Sequence, residues 1–262
     1  MLYHSNQKLA VFMFASFVSL LSSCSTTPPG TPPFLSENVS TATQAVSTKD
    51  EAREVKQAKI LISQEKYREA EILLTRVISG DESNYDAWQS LLVVHCALAS
   101  QSASEADEFT ETDTALQSLL NAGHHLDLAK LAVFKIRSLA TEPGANYAPE
   151  SVTSAENNYE AMKAEVQSVI DDFCKSQLED ADTWAWNAIN HPIHWIGPNN
   201  RHEIVGCLKC LKPVMKLKAW TTEKNCTELT RLYVKCKGAV DVNKEWQSLC
   251  AQAGIVLNGE AE

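Results

Sequence analysis

The sequence predicts an all-α protein, and three observations carry that prediction. From residue 54 onward apolar residues recur at helical spacing, one face at a time. Glycine and proline, which punctuate helices, are scarce after residue 50, and no run of β-branched residues alternates with period two. The expected architecture is a set of helical hairpins capped by one long helix over residues 51–182, followed by a cysteine-rich three-helix module within 183–262. Hydrophobic residues make up 44% and aromatic residues 7% of the chain, ordinary values for a folded domain.

Residues 1–8 form a weakly positive start, and Leu9–Leu21 is an apolar run of thirteen residues. About 20 are needed to span a bilayer, so a short apolar run followed by small residues reads as a removable signal over 1–23. The tetrad Leu21-Ser22-Ser23-Cys24 resembles the lipobox of bacterial lipoproteins. That resemblance implies cleavage before Cys24, a diacylglycerol on its thiol, and acyl chains such as palmitate holding the protein to a membrane. Ser25, where an aspartate would retain the protein, implies the outer membrane of a Gram-negative cell and a periplasm-facing display. The alternative is an ordinary secretory signal with Cys24 incidental. Residues 25–50 are rich in Ser, Thr and Pro with little to bury, and read as a disordered tether. As a random coil it would reach roughly 30 Å.

Helices are expected in order. Val55, Ala58 and Ile62 share one face with Leu61 beside them; after a break at Glu65-Lys66, Tyr67, Ala70, Leu74, Val77 and Ile78 share another. Gly80-Asp81 stops the second helix, and Asn84-Tyr85-Asp86-Ala87-Trp88 starts a third. Tyr67-x-x-Ala70-x-x-x-Leu74, followed by Trp88-x-x-Leu91, resembles a tetratricopeptide repeat. The resemblance implies helix pairs that approach closely at Ala70, and a groove in which Tyr67, Tyr85 and Trp88 would hold a partner's peptide. The same residues would equally serve repeat packing. Glu65 stands where a small residue is usual. Ala129 repeats the role of Ala70 only at 59 residues, which is not a multiple of the 34-residue period. Leu116, Leu119 and Leu120 lead into Ala122-Gly123, Pro143-Gly144 marks a break, and residues 150–178 read as the long capping helix.

Residues 183–202 concentrate Trp184, Trp186, His191, His194, Trp195 and His202. Such a patch could stack on a glycan or fill a junction between helical units. Pro192 argues against a helical pairing of the two histidines around a metal, and none is expected. Helices are expected at 203–218, 223–237 and 241–253. Cys207-x-x-Cys210 with Cys226 and Cys236 does not have four-thiolate zinc spacing, since the second pair lies too far apart. No βαβ pattern frames it for redox chemistry. In an oxidising compartment disulfides fit better. Folding the helices back about Thr221 and Gly238 sets Cys207 opposite Cys236 and Cys226 opposite Cys250. Cys174–Cys210 is a third pairing, which leaves Cys96 as a small buried residue.

Net charge is −10, unevenly spread: residues 51–200 carry 11 basic against 24 acidic side chains, and residues 201–244 carry 10 against 4. The two regions could attract each other, face anionic headgroups, or simply be solvated surfaces of opposite sign. No nucleotide-binding, serine-hydrolase or zinc-protease motif occurs. The expectation is therefore a non-catalytic scaffold for envelope proteins, with no cofactor, metal, nucleic acid or small-molecule substrate. Its layout is similar to accessory lipoproteins of outer-membrane barrel assembly and type IV pilus biogenesis. A glycan- or peptidoglycan-binding lipoprotein using the Trp184–Trp195 patch is the alternative.

Overall fold

A computed structural model describes residues 40–144, 147–190, 199–240 and 243–256. The signal, Cys24 and the first part of the tether lie outside the described residues, as do His191, His194 and Trp195. Among those described, the chain forms eight helices and no strand. None of these helices is long and apolar enough to cross a membrane.

Helix α1 (Ser40–Ser63) begins inside the segment expected to be tether. Residues 40–50 contain no Pro or Gly, so nothing in that stretch opposes helix propagation from the amphipathic part. Val55, Ala58, Leu61 and Ile62 form its buried face. The helix ends in a Schellman arrangement: Glu65 N–H donates to the Ile62 carbonyl (3.0 Å) and Lys66 N–H to the Leu61 carbonyl (2.9 Å). This puts Glu65 in the left-handed region at φ 60°, a site where glycine is the usual occupant. Helix α2 (Tyr67–Gly80) returns, burying Ala70, Leu74, Val77 and Ile78. Asp81 then turns the chain by accepting from the Ser83 N–H and hydroxyl, and Asn84 caps α3 through the Ala87 N–H at 3.0 Å.

Helix α3 (Tyr85–Glu108) is buried on nearly every side, including an unbroken stretch from Ser90 to Ala99. A helix apolar all round belongs in the interior, and α3 packs against α1, α2, α4 and α5. Helix α4 (Thr112–Ala140) follows after a short loop and makes the most extensive helix pair of the fold with α3. Its buried alanines at 115, 122, 129 and 132 let the two axes approach closely.

Helix α5 (Pro149–Asn190) is longer than the 150–178 expected. Its buried stripe continues past residue 178 through Ala181, Ala185 and Ala188 at three- and four-residue steps, so the apolar face never lapses. The first half lies over α3 and α4, where Ser151 meets Tyr85, Arg137 pairs with Glu156 and Ser100 bonds Glu165. The second half carries the C-terminal helices α6 (Asn199–Leu217) and α7 (Glu223–Gly238), and α8 (Asn243–Gln252) packs on α6. Thus α5 runs through the boundary expected at residue 182, and one contiguous core joins both parts.

Two polar devices set α7 on α5. Asp171 Oδ1 accepts from the Thr221 hydroxyl (2.7 Å), the Thr222 N–H (2.8 Å) and the Asn225 amide (3.2 Å), so a side chain of one helix caps the start of another. Asp182 pairs with Arg231 at 3.0 Å and Lys235 at 3.2 Å. At this seam the acidic and basic regions do face each other. Helix α8 docks through Trp246, edge-on to Tyr233 with ring centroids 5.2 Å apart, and through the Arg201–Glu245 pair.

Candidate functional site

Of the residues expected to line a partner groove, Tyr85 and Trp88 lie inside the protein. Tyr85 stacks on Tyr147 with centroids 3.9 Å apart, and its hydroxyl meets Ser151 Oγ at 2.7 Å. Trp88 donates from Nε1 to the Glu82 carbonyl at 2.9 Å, with Lys135 over its ring. Both rings close the α2–α3 turn against α4 and α5, which leaves them no free face. Tyr67 is half-buried, and burial followed by the nearby Glu65 carboxylate raises its pKa. It lines a shallow cleft of about 210 Å³ with Glu65, Arg68, Leu98 and Gln101, smaller than the several hundred Å³ of a typical ligand pocket.

The aromatic patch does not form one surface. Trp184 and Trp186 are two residues apart on α5, roughly 200° around the helix, so they face opposite ways. Trp184 turns inward over Gly206, where an added Cβ would lie 2.7 Å from the indole, and its edge meets His202. Trp186 is 60% exposed. Trp184→Ala is therefore expected to lower stability by about 2 kcal/mol or more, while Trp186→Ala stays within about 0.5 kcal/mol. Thermal unfolding of the two variants checks the contrast, and equal losses would contradict this placement.

The seven described cysteines are unbonded thiols. Cys207 and Cys236 lie in buried contact, sulfur to sulfur 2.7 Å, as two thiols and not as the disulfide expected of them. The hydrogen bond shared with Cys207, then the Lys235 ammonium, lower the pKa of Cys236, while that of Cys207 rises. Cys174 lies beside Thr221 and Cys226, and Cys210 is near Cys207 and Asp180. Cys226 Sγ approaches the Lys218 carbonyl at 3.8 Å, and Cys250 is buried.

A polar cluster that sequence spacing missed sits where α2, α3 and α4 meet. His95 and His125 are 5% and 3% exposed. Their Nδ1 atoms are 3.3 Å apart, and Glu71 Oε1 lies 3.8 Å from His95 Nδ1. The three ligating atoms all fall within 4.8 Å of one another. Burial, then neighbouring positive charge, pushes both imidazoles down to about 4, so both rings are neutral at neutral pH. The signal in the sequence was faint: His95 interrupts the apolar run Leu91–Leu98, and nothing local connects it with residues 24 and 30 positions away. Neutral imidazoles beside a carboxylate can share a proton or hold a cation.

No protein-family model matches the chain, and no curated protein or solved structure matches it.

Proposed function

We propose that the chain is a non-catalytic scaffold for envelope proteins, anchored in the outer membrane through lipid on Cys24 and facing the periplasm, in envelope or pilus assembly. The observation that carries the reading is a pair of large apolar side chains left outside a continuous helical core. Leu131 and Phe134, one turn apart on α4, are 46% and 65% exposed. Side chains of this size on one helical face, flanked by charged residues, suit a protein partner better than water. The lipobox and the Ser/Thr/Pro segment supply the anchor and reach. Support for a tetratricopeptide-type unit is confined to α1–α3: Ala70 is fully buried at the close approach, Leu74 fills the groove, and Trp88 opens the next helix. The much longer α4 and α5 then replace further repeats. The glycan-binding alternative rests on Trp186, whose exposed ring neighbours Ile189 at 48% exposure.

The test is photocrosslinking in living cells from residue 134 and, separately, from residue 186, followed by denaturing purification. Repeated capture of the same envelope or pilus subunit from residue 134, lost in Leu131→Asp, is the expected result. Peptidoglycan captured from residue 186, with nothing from residue 134, would replace the scaffold with the glycan reading. Cys24→Ala should release the protein from the membrane fraction, and a variant that stays bound would refute the lipid anchor.

A further inference from the structure

We propose that Glu71, His95 and His125 bind one divalent cation of the zinc class through two imidazole Nδ1 atoms and one carboxylate oxygen. Two nitrogens about 2.0–2.1 Å from a tetrahedral ion lie about 3.3–3.4 Å apart. The Nδ1 atoms of His95 and His125 are 3.3 Å apart, and Glu71 Oε1 is 3.8 Å from the nearer one. A modest turn of the Glu71 side chain completes the triangle. The donor set of two imidazoles and one carboxylate suits zinc, whereas magnesium and calcium call for oxygen ligands throughout.

Position supports the same conclusion. Each ligand comes from a different helix (α2, α3 and α4), and α3 packs directly on both of the others. Helix backbone therefore sets the spacing, not a loop. The two histidines are buried, and imidazole is the commonest side-chain ligand of such an ion. The Glu71 side chain keeps 22% of its surface exposed, which gives the ion a way in and leaves the fourth position to water. One group opposes the cation: Arg68, one turn before Glu71, pairs with its carboxylate at 3.5 Å. Arg68 thus competes for the carboxylate the ion needs. A bound ion would clamp the α1–α2 hairpin to the α3–α4 pair, which is a structural role separate from partner binding.

The test titrates the chelator-treated mature chain with Zn²⁺ by calorimetry and substitutes Co²⁺ for spectroscopy. The expected result is one ion per chain, with Co²⁺ giving tetrahedral visible bands but no thiolate charge-transfer band, and no response to Mg²⁺. Glu71→Gln and His125→Asn should each weaken Zn²⁺ binding at least about tenfold. Arg68→Ala should tighten it, and Cys207→Ser should leave it unchanged. If His125→Asn does not fold, Glu71→Gln, at the solvent edge, decides the matter. Absence of binding, binding indifferent to Glu71→Gln, a thiolate band with Co²⁺, or loss of binding in Cys207→Ser would each overturn the site.

Discussion

Protein matured in an oxidising compartment and purified without reductant is expected to carry a Cys207–Cys236 disulfide, and reducing it should lower stability by about 3–4 kcal/mol. The two sulfurs already touch in a buried site between α6 and α7. The loop they would close spans residues 207–236, long enough for its closure entropy to weigh heavily in the unfolded chain. Chemistry favours the reaction as well. The Lys235 ammonium lies close enough to favour a thiolate on Cys236, and the thiolate is the species that attacks in exchange with an external disulfide oxidant. Peptide mass spectrometry without reduction identifies the bond, and denaturant unfolding with and without reductant measures its worth. Finding both thiols free to alkylation in unfolded protein that had matured in an oxidising compartment would refute the expectation, and with it one reason to regard the C-terminal helices as stapled.

Gly123→Val is expected to cost about 3 kcal/mol, although glycine in mid-helix is ordinarily a weakness. An added Cβ would lie 2.5, 2.6 and 2.9 Å from three atoms of the Trp220 indole, well inside contact distance. Trp220 follows α6 and rests flat on the α4 backbone, so glycine here is what lets the C-terminal helices reach the N-terminal hairpins. Gly123→Ala should cost less, because alanine recovers about 1 kcal/mol of helix propensity. In a Trp220→Ala background the sign should reverse, with Gly123→Ala neutral or stabilising. Chemical denaturation of the four species measures that coupling. A penalty that persists without Trp220 would mean that the indole is not what requires the glycine. Gly206 beneath Trp184 is the same device between α6 and α5.

These two glycines illustrate why sequence reading stopped where it did. The Ala122-Gly123 step is a plausible helix end to any local rule, yet α4 passes through it because a ring from almost a hundred residues away fills the missing side chain. Tyr85 and Trp88 have the spacing of groove residues, but spacing cannot tell a groove from a core. Their exposure depends on Tyr147, Ser151 and Lys135, which arrive from other helices. Trp184 and Trp186 look like a patch as letters and are opposite faces as a helix. His95 was legible only as an odd polar residue in an apolar run, because Glu71 and His125 come from separate elements.

The all-helical class, the turns at Glu65-Lys66, Gly80-Asp81 and Pro143-Gly144, most of the buried faces and the approach of Cys207 to Cys236 are legible in the residues alone. These follow from periodicity, capping and hairpin geometry, which act within a few turns of one chain segment. Helix packing is what carries α5 across both parts, lets Asp171 cap α7, docks Trp184 and Trp220 on glycines, and brings two histidines and a glutamate together. Each of those depends on which helices pack together, and that choice is made by the summed fit of distant faces, which no local pattern encodes.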